Sequence, residues 1–100
     1  MRRYEGYRTE MGPIVTANDV SLDLRLDLLN HSPTGFEWGY GGSGPAQLAL
    51  AILADHLGND EKALELHQAF KFAVISKLPK NGWILTTDQI REALESLPRH

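Results

Sequence analysis

Apolar and polar residues alternate strictly from Leu22 to Leu28, where Leu22, Leu24, Leu26 and Leu28 are separated by Asp23, Arg25 and Asp27. That is the pattern of a strand with one buried face. Upstream, Gly12-Pro13 and Ala17-Asn18-Asp19 carry turn chemistry on either side of the short run Ile14–Val15–Thr16. Tyr4–Thr9, Ile14–Thr16 and Val20–Leu28 are therefore expected to form a three-stranded antiparallel meander.

Beyond residue 44 the pattern changes to helical spacing. Pro45 suits a first helical turn, where its missing N–H would have had no intrahelical partner, with Gly44 or Ser43 as the cap. From Ala46 to Ala54 Gln47 is the single polar residue, so this helix is apolar nearly all round and is expected at the centre of the core. Gly58 supplies a stop. Asn59 or Asp60 caps a second helix with the stripe Ala63, Leu66, Phe70, Ala73, Val74 and Leu78, about five turns by its span. Pro79 and Asn81-Gly82 end it. Thr86 followed three residues later by Gln89 predicts a capping box, and Leu85 with Ile90 a hydrophobic staple, for a last helix with the stripe Ile90, Leu94 and Leu97.

Segregated strands followed by helices point to an α+β fold, a small antiparallel N-terminal sheet of about three strands packed against three C-terminal helices. One domain over residues 1–100 is expected, with a sheet region over 1–29, a loop over 30–44 and a helical region over 45–97. Trp83–Leu85 can act as an extended anchor or add a further strand.

The loop is the unusual part of the chain. Asn30–Gln47, NHSPTGFEWGYGGSGPAQ, holds Gly35, Gly39, Gly41, Gly42 and Gly44 together with Phe36, Trp38 and Tyr40. A plain connector needs neither the aromatics nor so many residues free to adopt positive φ.

Composition narrows the classes. With 42% apolar and 23% charged residues the chain reads as a soluble globular domain. No cysteine is present, which excludes disulfides and thiolate chemistry and fits a reducing cytoplasm. No apolar segment approaches the ~20 residues of a membrane span, and the N-terminus lacks the apolar run of a secretory signal. The net charge of −3 argues against broad nucleic-acid binding, although Lys71, Lys77 and Lys80 form a stretch without acids.

Candidate chemistry is sparse. Gly39, Gly41 and Gly44 satisfy G-x-G-x-x-G, but no hydrophobic strand precedes them and no parallel strand follows the helix, so the dinucleotide fingerprint is incomplete. Pro45 stands where a P-loop needs lysine and where a nucleophile elbow needs glycine. No cofactor is expected. What remains is a group of backbone amides at Gly41, Gly42 and Ser43, near a helix N-terminus, able to face an anion. The alternative is a tight turn with the aromatics as its local core. His31 and Glu37 flank Ser32-Pro33-Thr34-Gly35 and would pair if the loop folded back on itself; otherwise His31 bonds to loop backbone and Glu37 meets an arginine such as Arg25. A Ser43, His31 and Asp27 triad can be written down, but no spacing orients it. The histidines are scattered, so no metal site is expected. Asp23, Arg25 and Asp27 read as a charge ladder on a strand face.

YEGYRT, LDLRLDLLNHSPTGFEWGYGGSGPAQLALAILAD and FKFAVISKLPKNGWILTTDQI resemble a family of small bacterial and bacteriophage proteins known as a domain of unknown function. The resemblance implies a bacterial or phage source and an intact domain, and carries no activity. The function expected from the residues is a non-enzymatic binding protein using Asn30–Ser43 to contact a protein or nucleic-acid partner. The alternative is a phosphate-bearing or other anionic small molecule held by His31, Glu37, Trp38, Tyr40, Gly41, Gly42 and Ser43.

Overall fold

A computed structural model describes residues 2–97. β1 (Arg3–Thr9) and β2 (Gly12–Ala17) pair as an antiparallel hairpin with Tyr4 opposite Ala17 and Thr9 opposite Gly12. The Thr9 hydroxyl ties the turn, donating to Gly12 O at 2.9 Å and accepting from Met11 N at 3.1 Å. β3 (Val20–Ser21) extends the β2 side, and β4 (Gly82–Thr86) pairs antiparallel with the other edge of β1, giving the order β3-β2-β1-β4. The extended segment expected around Trp83–Leu85 is thus a fourth strand.

Three helices pack with this sheet: α1 (Ser43–Leu57), α2 (Asp60–Ala73) and α3 (Thr87–Glu95). The fold is α+β. Alternation places Tyr4, Val15, Ala17, Trp83 and Leu85 on the buried side of the sheet. Facing them, α1 is buried at every residue from Gly44 to Ala54. Phe70, Ile75 and Ile90 complete the cluster from the remaining elements.

Segment Leu22–Leu28 departs from expectation. It is not a strand, and β3 stops at Ser21. Arg25 takes φ +54°, and its N–H donates to Asp23 Oδ1 at 2.7 Å, so the chain turns where a strand would run straight. Arg25 then pairs with Asp27 at 3.0 Å and Asp60 at 2.9 Å, and the expected charge ladder is a turn and its clasp. Leu22, Leu24 and Leu28 still pack against the core while Leu26 is exposed. The alternation records burial against the core and not pairing with a neighbour strand.

The helix ends differ in two places. α1 begins at Ser43, and its N-cap is Gly42, one residue before the expected caps and without a side-chain hydrogen bond, so neither Ser43 nor Gly44 caps it. α2 ends at Ala73, short of five turns, because Val74 leaves helical geometry at φ −123° and a 3₁₀ turn covers Ile75–Lys77. The β-branched pair Val74-Ile75 crowds a helix, which favours an exit there. Elsewhere the signals hold: Gly58 ends α1 at φ +62°, Asn59 caps α2, and Thr86 and Gln89 form the capping box of α3.

Candidate functional site

The loop between residues 30 and 44 is fastened by one buried side chain. Gln47, fully buried on α1, accepts from His31 N at 2.7 Å and Ser32 N at 3.0 Å, and its amide donates to Leu24 O at 2.6 Å and Leu29 O at 3.0 Å. Each of those backbone groups would otherwise lack a strand or helix partner. A second tie is Trp38, 1% exposed, whose indole N–H donates to Lys80 O at 3.1 Å and whose ring meets Trp83 edge-on at 5.6 Å. Gly39, at φ +86°, lets the chain turn beside Lys80 and donate to Ile75 O at 3.0 Å.

The loop has two sides with different chemistry. On the sheet side, Glu37 accepts from Arg8 at 3.1 Å and 3.0 Å, and the Arg8 guanidinium lies 4.5 Å from the centre of the Trp38 ring. Its arginine is Arg8, not Arg25. Glu37 also packs on Gly44, where an added Cβ would lie 2.7 Å from Glu37 Cβ. The first turn of α1 itself holds no acid.

On the α2 side, His31 Nε2 lies 3.0 Å from His67 Nε2, and His67 Nδ1 lies 2.7 Å from Leu64 O. A carbonyl only accepts, so His67 carries its proton on Nδ1 and offers Nε2 as the acceptor, and His31 donates from Nε2. Burial pushes the His31 pKa down, and the nearby Lys71 ammonium pushes it the same way. Lys71 follows His67 by one turn of α2, is 7% exposed, and has no carboxylate within ion-pair distance among the described residues. Its ammonium sits 4.0 Å from the centre of the Phe72 ring. Phe72, 59% exposed, lies against Gly41, and the half-exposed Tyr40 ring lies over Gly42.

The expected site residues are thereby divided. His31, Tyr40, Gly41 and Gly42 border α2 or solvent; Glu37 and Trp38 belong to the sheet side. Ser43 is exposed and opens α1. His31 and Glu37 do not form a pair, since each has a different partner. Nor is a triad assembled, because Asp27 bonds to Arg25 and the His31 ring faces His67. Trp38 is interior and offers no recognition surface. Among the described residues no three of His, Asp and Glu gather as metal ligands.

Two hollows open on the surface. One of about 390 Å³ lies between the β1–β2 turn and the loop, lined by Met11, Pro13, Phe36, Glu37, Tyr40 and Ser43 among others. The other, about 260 Å³, lies beside Arg2, Arg25 and Asp55. There Tyr4 and Arg2 both donate to Asp55, at 2.5 Å and 2.7 Å. Burial, then the bond to Asp55, pushes the Tyr4 phenol well above its ordinary value, so it stays protonated and structural.

Reasoning from sequence gave no site role to Gln47 or His67 and met Lys71 only within an acid-free basic stretch. Gln47 had a signal, a lone polar residue on an otherwise apolar helix. For His67 and Lys71 the signal was spacing, four residues apart beside an apolar stripe.

Residues 4–96 match the profile of a family of unknown function (DUF6166). No curated protein and no solved structure matches the chain.

Proposed function

The chain belongs to this family of unknown function, and we propose that it is a non-enzymatic binding protein whose Asn30–Ser43 loop carries the recognition surface for a protein partner. The observation that supports this reading is the contrast between a fastened base and an exposed rim. Gln47 and Trp38 hold the loop from below, while Tyr40, Met11 and Phe72 stand 49%, 93% and 59% exposed around its outer edge. A rigid loop presenting aromatic side chains binds at little ordering cost. The groove beside Met11 and Tyr40 would take an extended segment of the partner. The cytoplasm of a bacterial or phage-infected cell, where cysteine-free chains are at home, is the setting we propose; among the described residues no helix is long and apolar enough to cross a membrane.

A photo-crosslinking amino acid placed at Tyr40, with Val20 as the exposed control, tests this in the source cell. A discrete crosslinked protein from position 40 alone is expected. Equal, diffuse labelling from both positions would overturn the reading.

A second reading, an anionic small molecule at the start of α1, is favoured by the unneutralised Lys71 beside the Phe72 and Gly41 contact, and by the absence of a side-chain cap or acid in the first turn. Its test is an amide-resolved NMR titration with phosphate, mononucleotides, dinucleotides and short oligonucleotides. Saturable shifts over Gly39–Gln47 are expected, and no shift with any of them would dispose of it. Shifts with oligonucleotides alone would assign the surface to nucleic acid.

A further inference from the structure

Three basic side chains lie where the loop meets α2, and among the described residues none has a carboxylate at ion-pair distance. His67 and Lys71 project from adjacent turns of α2, and His31 reaches His67 from the loop at 3.0 Å. The stem of Lys71 is buried while its ammonium keeps access to the surface, 4.0 Å from the centre of the Phe72 ring.

The tautomers let the histidine pair gain one proton without losing a bond, and the open position for it is His31 Nδ1. His67 keeps Nδ1–H for Leu64 O, and one proton lies between the two Nε2 atoms. A second proton there would set two N–H groups against each other. His31 donates from Nε2, and its Nδ1 has no hydrogen-bond partner among the described residues. A proton added at Nδ1 leaves the contact with His67 in place and strengthens it, since the donor becomes charged. What opposes that proton is burial and the neighbouring positive charge.

We propose that His31, His67 and Lys71 form a proton-linked site for a phosphate-class oxyanion, which binds together with one proton taken up from solvent at His31 Nδ1. The imidazolium N–H and the Lys71 ammonium supply the charge, and His67 holds the His31 ring in place. No bond is made or broken beyond that protonation. The proposal rests on the anionic-ligand reading above and gives it a location and a pH dependence. By linkage, an anion that prefers protonated His31 binds more tightly as pH falls, by at most about tenfold per pH unit for one proton. It raises the His31 pKa by the same coupling.

Sulfate is the probe of choice because its charge is constant from pH 5 to 8, whereas phosphate titrates within that range. The full chain is titrated with sulfate at constant ionic strength and several pH values, following the histidine ring carbons and all backbone amides by NMR. The expected result is saturable binding several-fold tighter at pH 5.5 than at pH 7.5, a His31 pKa that rises with sulfate, and loss of the pH dependence in His31→Gln. Lys71→Met should weaken binding at every pH. Should either variant fail to fold, the His31 titration curve of the unaltered chain with and without sulfate decides alone. Binding that shifts Gly41–Ser43 equally at all pH values, with the His31 pKa unmoved, would overturn this proposal and leave the anionic-ligand reading standing. Absence of saturable shifts at any pH would overturn both.

Discussion

The two sides of the loop share a backbone and differ in how their side chains are balanced. On the sheet side the charged groups of the loop are answered: Glu37 meets Arg8, Arg8 also covers Trp38, and the Trp38 indole finds Lys80 O, while the indole N–H of Trp83, buried over Gly6, makes no hydrogen bond among the described residues. On the α2 side the groups are left over. Among the described residues Lys71 has no carboxylate at ion-pair distance and His31 Nδ1 no hydrogen-bond partner, and Phe72 keeps its face to water, as does Tyr40 on the rim between the two sides. Satisfied polar networks rigidify a structure, and unsatisfied ones are where binding energy is available. The comparison assigns anchoring to the buried, satisfied groups and recognition to the exposed rim and the α2 side.

The sharpest way to break it is Trp38→Ala. Losing a buried indole, its bond to Lys80 O and its edge contact with Trp83 should cost about 3–5 kcal/mol, a large share of the ~5–15 kcal/mol that holds a domain together. Urea unfolding reads the loss. If Trp38→Ala cost as little as a surface change, the sheet side would not be the anchor. Gln47→Met comes next. It keeps the volume and strands the amides of His31 and Ser32 and the carbonyls of Leu24 and Leu29, at about 2–4 kcal/mol. Hydrogen exchange should report it locally, with protection lost at the His31 and Ser32 amides before the rest of the chain.

These two residues also show what could be read in advance. The helices, their caps at Asn59 and Thr86 and the strand pair β1–β2 are short-range features, written in periodicity and turn chemistry, and they were legible. The Leu22–Leu28 pattern misled because period-two alternation reports which side of the chain is buried, and a turn crossing the core produces the same signal as a strand. What distinguishes them is Gln47, whose side chain takes Leu24 O and Leu29 O, and that contact spans residues far apart in sequence. The site was half legible for the same reason. His31, Tyr40 and the glycines stood out within the loop, but His67 and Lys71 join them only through tertiary packing. The glycines were expected to serve unusual backbone angles, yet Gly41, Gly42 and Gly44 are not at positive φ. They are there for close approach.

That distinction allows a finer comparison between the sides. In Gly44→Ala the new methyl would meet Glu37, whose Cβ lies at 2.7 Å and whose backbone N lies at 3.2 Å, so the fixed chain itself must move. About 1–3 kcal/mol should be lost, partly masked by the ~1 kcal/mol that alanine gains over glycine inside a helix. In Gly41→Ala the methyl meets the rim of Phe72 at 3.2 Å, and an exposed ring can rotate away. Its effect should stay within about 0.5 kcal/mol. Equal losses at both positions would mean that the α2 side is as rigid as the sheet side.

A smaller, pH-dependent effect belongs to His31. Its folded-state pKa lies below the ordinary histidine value of about 6.5, with burial the main cause and the Lys71 ammonium behind it. Below that value the unfolded chain binds more protons than the folded one, so stability should be full above it and decline as pH falls through it. His56 is shifted in the same direction, by burial first, with Asp55 opposing and Arg91 assisting. Urea midpoints at pH 7.5 and 5.5 for the unaltered chain, His31→Gln and His56→Gln separate the two, and each variant should remove its own part of the decline. Added sulfate should reduce the His31 part alone if the α2 side takes an anion.

The smallest expected effect on stability is the most informative for function. Tyr40→Ser removes a half-exposed ring that rests on Gly42 and donates no described hydrogen bond, so the urea midpoint should move by no more than about 0.5 kcal/mol. A buried anchor and a recognition residue separate at this point, because the first cannot be removed without unfolding the loop and the second can. If Tyr40→Ser leaves stability intact and abolishes the discrete crosslink formed from an adjacent exposed position such as Met11, the outer rim is a binding surface. If it destabilises the chain as Trp38→Ala does, Tyr40 is a third anchor, and the loop presents its chemistry to α2 and not to a partner.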